Sequence, residues 1–364
     1  MPFDLVIAHG PPTGVPSVRA RRAVSIWLFT VCVMLLGVTA LGGATRLTGS
    51  GLSIMDWQPI SGILPPLSVA EWERLFTIYK TIPQYKMQPV GFDLASFQRI
   101  FWLEWTHRLL GRLTGIAFLV PLVVFAALGQ IRRKLLPGLI VIFCLGGLQG
   151  FVGWFMVSSG FFPDSAHVQT LRLVAHLTVA LVLYSAILWV AMTEWVPFPP
   201  PVPGALGLRR LIRAVILMTA LTIIAGGFTA GSRAGYVFNT FPLMDGHLVP
   251  PGYAALKPFW MNWFHTLAAI QFDHRLLATV TAFLALTAAV WGASRRALLP
   301  QGPRDAMLAL GAVVLVQYAL GVATLLLVVP VDIATLHQLV AVLLLSAALI
   351  ALHSLRGARP YSAS

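Results

Sequence analysis

Residues 100–128 read IFWLEWTHRLLGRLTGIAFLVPLVVFAAL, an apolar run interrupted only in its first half, by Glu104, His107, Arg108 and Arg112. About 20 apolar residues in a helix cross the ~30 Å hydrocarbon core of a bilayer, so this run is long enough to span one. Runs of the same kind recur at 23–43, 136–157, 173–193, 214–231, 263–291, 306–329 and 334–353, and together they predict eight transmembrane helices. Composition agrees. Of 364 residues, 58% are hydrophobic and 10% charged, whereas a soluble domain carries about 25% charged residues. These values exclude an ordinary soluble protein and set the fold class as an all-α polytopic membrane protein.

The net charge of +13 would raise the question of nucleic acid in a soluble chain. Here the basic residues stand at the ends of the apolar runs, which is a topology signal and not a nucleic-acid surface. Eight crossings put both termini on one side. That side holds Arg19, Arg21, Arg22, the run Arg132-Arg133-Lys134, Arg209, Arg210, Arg213, Arg295, Arg296, Arg304, Arg356 and Arg359, close to helix ends. The positive-inside rule makes it cytoplasmic. Cys32 and Cys144 both fall inside apolar runs, so neither a disulfide framework nor a Cys-rich metal site is indicated. The first apolar run, from Ala23, lacks a small-residue cleavage site, and residues 1–18 lack the Arg-rich character of an organelle transit peptide. A multi-pass protein of a bacterial inner membrane is the expectation.

The largest outer loop, 44–99, carries Ser68-Val69-Ala70-Glu71, a capping-box pattern in which Glu71 reaches back to the Ser68 N–H. The helix it starts has an aromatic side, Trp72, Phe76 and Tyr79. It reads first as a helix on the membrane surface, with a substrate lid as the alternative. Near the midpoint, Pro197-Phe198-Pro199-Pro200-Pro201-Val202-Pro203 reads as a stiff connector.

The sequence also repeats itself. His107-Arg108-Leu109-Leu110 returns as His274-Arg275-Leu276-Leu277. Val179, Ala180, Leu183, Ser185 and Ala186 follow His176 at the offsets at which Val340, Ala341, Leu344, Ser346 and Ala347 follow His337. Gln149 and Gly153 match Gln317 and Gly321, Gly42-Gly43 match Gly226-Gly227, and Gly62 matches Gly246. Each unit has an even number of helices, so both enter the membrane in the same direction, as a parallel repeat about an axis along the normal. The expected organisation is a four-helix bundle in 1–193, a cytoplasmic linker in 194–213 and a second bundle in 214–364. All four histidines then fall in the outer half of the bilayer.

An intramembrane imidazole is costly without a partner, and a repeated pair of them on facing helices points to function. Two neutral imidazoles across a bundle suit axial ligation of a haem iron, whereas a bare metal ion usually takes three or four protein ligands. Of the acidic residues only Glu104 and Asp273 lie within the predicted spans. Glu104 shares a helix face with His107 and reads either as an ion pair with Arg108 or as a carboxylate that moves protons beside a haem-sized substrate. The same offset before His274 gives Gln271, the neutral amide. Asp273 points elsewhere and suits a structural or ligand-orienting role. Arg108, Arg112 and Arg275 are open between haem propionates and outer headgroups. His265 flanks the second site or faces water, His167 and His247 sit in outer loops, and His9 and His353 carry no signal.

Glu104-Trp105-Thr106-His107-Arg108, the run from Gly42 to Ser53 (GGATRLTGSGLS), Phe241-Pro242-Leu243-Met244-Asp245-Gly246 and Phe272-Asp273-His274-Arg275 together resemble haem A synthase. The likeness covers all eight helices and is similar to the branch shared by alphaproteobacteria and mitochondria, which lacks paired outer-loop cysteines. The resemblance implies oxidation of the C8 methyl of haem O to the formyl group of haem A through hydroxylated intermediates. It implies a b-type haem on His274 and His337, with Arg275 beside it. It implies a substrate haem on His107 and His176, with Glu104 as the catalytic carboxylate. A protohaem farnesyltransferase and a terminal oxidase with its assembly factors become the expected partners, and an electron donor is required.

Two other classes compete. A di-haem electron-transfer protein, such as a quinol-oxidising cytochrome b, would place haems near both membrane faces, whereas these four histidines share one leaflet. A parallel-repeat transporter would hold its site near the midplane between the halves, whereas each histidine pair here lies within one half.

Overall fold

The computed structural model describes residues 16–58, 61–162, 165–198, 200–295 and 299–359. Among them are eight helices long and apolar enough to cross a membrane: α1 (Val18–Leu47), α3 (Leu94–Ala127), α4 (Leu136–Ser158), α5 (Thr170–Trp195), α6 (Leu206–Gly231), α8 (Leu267–Ser294), α9 (Gln301–Leu326) and α10 (Val331–Ser354). Two shorter helices lie between them, α2 (Val69–Tyr79) and α7 (Asn262–His265). The chain is a multi-pass helical membrane protein.

Several helices outrun their apolar cores, for local reasons. Asp93 caps α3 by accepting the Ser96 N–H at 2.8 Å, and the added N-terminal turns bury Phe97 and Phe101. Ser17 likewise caps α1. α6 starts at Leu206, so Arg209, Arg210 and Arg213 are helical. The run expected from 263 is broken at Thr266, whose extended backbone separates α7 from α8. Asn262, fully buried, fixes that break through bonds to the carbonyls of Leu256 and Phe259.

Ser68 caps α2, with the Glu71 N–H 3.2 Å from its Oγ, but the Glu71 carboxylate turns to Arg74 at 2.8 Å, so half of the capping box forms. The aromatic side of α2 packs on the N-terminal turns of α3. Trp72 meets Phe101 at 4.8 Å, and Phe76 and Tyr79 meet Phe97 at 5.4 and 5.2 Å. Burial pushes the Tyr79 phenol up to about 12.

α1 packs against α3 and α5, and α4 against α5. α6 packs against α8, α8 against α9, and α9 against α10. The two sets meet through α1 on α10, α5 on α6 and α5 on α10. At one end the basic segments converge. Arg21 of α1 donates to the buried Glu194 of α5 at 3.0 Å, Arg132 of the α3–α4 turn donates to the same carboxylate, and Arg356 reaches Thr193. There the proline-rich connector pairs with the segment after α10, Val202 beside Ala358 in a two-residue parallel ladder. The large loops lie at the other end.

Candidate functional site

Each of the four histidines sits against a glycine on a neighbouring helix. His107 of α3 faces Gly42 of α1, where an added Cβ would lie 3.0 Å from Nε2. His176 of α5 faces Gly153 of α4 at 2.9 Å, His274 of α8 faces Gly226 of α6 at 3.0 Å, and His337 of α10 faces Gly321 of α9 at 3.0 Å. Carbon atoms pack best at about 3.5–4.0 Å, so any side chain at these positions would push the ring away. The glycines are there for room and not for backbone conformation. They stand near the helix ends away from the Arg21–Glu194–Arg132 cluster, which puts all four imidazoles toward the same membrane face.

His107 and His176 lie on helices that both pack against α1, and His274 and His337 on helices that both pack against α6. His274 Nδ1 lies 3.1 Å from the Thr222 carbonyl, so Nδ1 carries the proton and Nε2 keeps its lone pair for a ligand. Gln149 holds the His176 ring through Nε2, 3.1 Å from Nδ1. Nδ1 of His107 and of His337, and Oε1 of Gln149 and of its counterpart Gln317, are buried without a hydrogen-bond partner. Among the described residues no group of three or more His, Cys, Asp or Glu is placed to hold a metal ion. Paired neutral imidazoles in glycine cradles, with unsatisfied polar atoms beside them, fit a haem.

Glu104 is buried, with a 2.6 Å bond from Arg108 Nε to Oε1, and its Oε2 is 3.8 Å from His107 Nδ1. The expected ion pair with Arg108 forms, and the same carboxylate lies near His107. Arg108 also donates to the carbonyls of Ile54 (2.6 Å) and Asp56 (3.2 Å), and Arg112 to that of Gln58 (2.7 Å). Arg275 repeats the pattern on Phe238 (2.5 Å) and Thr240 (2.9 Å). These guanidinium groups hold loop backbone, and Arg275 retains a buried Nε without a partner. Asp273 accepts from the Tyr253 hydroxyl at 3.0 Å, a structural tie between α8 and its loop.

The remaining histidines lie apart. His265 and His247 are exposed, and His353 stacks edge-on to Trp189. His167 lies 3.5 Å from Arg233, and burial, then that cation, lowers its pKa. His9 is outside the described residues. Glu194 stands one residue past the expected end of its span at 193, but α5 runs on to Trp195 and takes it in. The flanking arginines Arg21 and Arg132 were its only signal.

Fold and site together define a class of multi-pass helical membrane protein that carries histidine pairs inside its helix packing. The COX15-CtaA family model, described as "Cytochrome oxidase assembly protein", matches residues 25–349. The "Heme A synthase" of Granulibacter bethesdensis is 55% identical over 343 residues, 94% of this chain and 90% of that protein. The "Heme A synthase 2" of Acidiphilium cryptum is 49% identical over 346 residues, 94% of each chain. The "Heme A synthase" of Nitrosospira multiformis is 44% identical over 339 residues, 92% of this chain and 94% of that one. This chain belongs to the COX15-CtaA family of cytochrome oxidase assembly proteins, in agreement with the resemblance seen in its motifs.

Proposed function

We propose that this protein oxidises the C8 methyl group of haem O to the formyl group of haem A through hydroxylated intermediates. The observation that carries this reading is the fourfold histidine–glycine seat, repeated on both sets of helices, with Glu104 3.8 Å from His107 where Gln271 stands before His274. The names of the relatives support it. The organisation that goes with it is a parallel repeat, a substrate bundle in 1–193 and a cofactor bundle in 214–364 joined by the segment 194–213. Equivalent contacts on both sides support the repeat: Gly43 of α1 lies against Gln338 of α10, and Gly227 of α6 against Leu177 of α5, each one residue beyond a matched glycine or histidine.

In this reading His107 and His176 hold the iron of the substrate haem, and His274 and His337 hold a b-type haem with Arg275 at its rim. Bound there, haem b supplies one-electron redox chemistry. Glu104 keeps its carboxylate beside the substrate, where it exchanges a proton or stabilises developing positive charge. Arg108 orients it. Haem O must be supplied by an enzyme that attaches a farnesyl group to protohaem, and the product is consumed in assembling a terminal oxidase. The basic face is cytoplasmic, with both termini there, in a bacterial inner membrane.

Absorption spectra of protein from cells unable to make haem O test the assignment. His274→Ala and His337→Ala are each expected to remove or shift a low-spin b-type spectrum. An unchanged spectrum in both would place the cofactor elsewhere and reverse the halves.

A further inference from the structure

Two arginines meet where the two sets of helices touch, at the end that carries the large loops. Arg46 lies in the last turn of α1, one turn beyond Gly42, the seat of His107, and its guanidinium crosses to α6 and donates to the Ala230 carbonyl at 3.0 Å. Ala230 in turn stands one turn beyond Gly226, the seat of His274, and is the residue that matches Arg46 in the repeat. The backbone N–H of Arg233 reaches the same carbonyl at 3.4 Å, and the Arg233 guanidinium lies 3.5 Å from Nδ1 of His167, just before α5. α5 starts with no side chain capping it, and its first residue, Thr170, packs on Gly231 of α6.

Two guanidinium groups, an imidazole and the positive end of a helix thus converge. Neither arginine meets a carboxylate among the described residues. Arg46 is half-buried, and its bond to a neutral carbonyl occupies one of five N–H donors. A charge withdrawn from water is costly until it is paired. His167 turns Nδ1 to Arg233, which leaves Nε2 to carry the proton of the ring and to donate. Arg233 also holds a left-handed backbone (φ 62°), where its counterpart in the repeat is Gly49 (φ 69°). A cation is therefore kept at a position that suits glycine.

We propose that this corner is a carboxylate site and that it holds a propionate of the haem carried by His107 and His176. A planar guanidinium matches a carboxylate with two parallel hydrogen bonds. Arg46 stands on α1, which seats His107, and His167 leads into α5, which carries His176, so two of the three side chains belong to the helices of that pair. A ring held only through its two axial nitrogens is free to turn about them. A propionate fixed at Arg46 stops that rotation and keeps one edge of the ring beside Glu104. The chain itself links the two groups: Gly51, five residues beyond Arg46, would bring a Cβ to 4.0 Å from Glu104 Oε2. The inference rests on the two-haem reading above.

Spectroscopic titration of the full-length protein in detergent, purified from cells unable to make haem O, tests it. The ligands are haem O and its dimethyl ester, which has no carboxylate. Arg46→Gln is expected to weaken binding of haem O about tenfold or more, and Arg46→Lys, which keeps the charge, should recover most of that loss. Arg233→Gly gives the left-handed position the residue of its counterpart, so the fold is kept, and should weaken haem O about two- to fivefold. The ester should bind wild type and Arg46→Gln alike. Unchanged haem O affinity in Arg46→Gln would overturn the proposal. Equal losses for haem O and the ester would overturn it too, and would make Arg46 only a tie between α1 and α6. If Arg46→Gln instead lowers binding of added phosphatidylglycerol and leaves haem O unaffected, the corner is a lipid headgroup site and the proposal fails. Wild type that takes up no haem O would count against the two-haem reading itself, and this proposal would fall with it.

Discussion

The seam between α3 and α4 differs from the seam between α8 and α9. Between α8 and α9 the Tyr318 hydroxyl bridges to Thr279 at 3.1 Å, and the Tyr318 ring meets Phe241 of the outer loop at 6.3 Å. Along the same seam Gly292 admits Met307 and Gly311 admits Ala289. In the first half the positions matching Tyr318 and Thr279 are Gly150 and Arg112. Around them Gly111, Gly115, Gly146 and Gly150 have no atom within 4 Å of where a Cβ would be. At these positions one seam is closed by side chains of the facing helix and the other is open. In the proposed reading the closed seam belongs to the half that keeps its cofactor and the open seam to the half that exchanges its substrate.

The largest effect expected from disturbing this comparison is at Glu104. Glu104→Gln gives the first half the amide of the second, with nearly the same shape. Loss of a group that exchanges protons in the transition state costs about 10²–10⁴-fold in rate. Haem A extracted from cells carrying the variant should therefore fall by about 100-fold or more. Haem O or a hydroxylated intermediate should accumulate, and the b-type spectrum should stay intact. Near-normal haem A from well-folded protein would reduce Glu104 to the structural partner of Arg108.

An intermediate effect separates the halves by their glycine seats. Gly226→Val places methyl groups where the His274 ring now lies, and Gly42→Val does the same to His107. The first is expected to convert low-spin haem b to a high-spin or lost species. The second should leave that spectrum unchanged and depress haem A output. Identical spectral damage from both would mean that the two pairs do not hold separate haems.

Much of this contrast was legible in the sequence, and the part that was not has a physical reason. The eight spans follow from apolar run length, although the runs could not show that Asp93 extends α3 outward or that Asn262 and Thr266 break the helix before α8, since caps and breaks are made by single polar side chains. The matches Gly42 with Gly226 and Gly153 with Gly321 stood in the repeat, but their partners did not, because a glycine seat leaves no trace on the residue it receives. The contacts of Arg108 and Arg275 were hidden more completely. Their acceptors are backbone carbonyls, which every residue has, so guanidinium groups free to meet propionates or headgroups on paper turned out to hold loops.

The smallest expected effect lies where the two halves touch. Gln338 follows His337 and donates through Nε2 to the Thr39 carbonyl of α1 at 3.0 Å, against Gly43, whereas its counterpart Leu177 meets Gly227 with methyl groups alone. Gln338→Leu therefore rebuilds on one side of the interface what already exists on the other. The Thr39 carbonyl keeps its bond within α1, so the change strands no buried polar group. Interhelical hydrogen bonds in membranes average about 0.6 kcal/mol, which in a chain of this size is a shift of about 1–2 °C in Tm. Thermal unfolding in detergent should show that shift, with the haem b spectrum and haem A output both retained. A large fall in haem A with so small a change in Tm would give Gln338 a different role. It would mean that the contact from His337 through Gln338 to α1, whose Gly42 seats His107, couples the two sites and does not merely pack them.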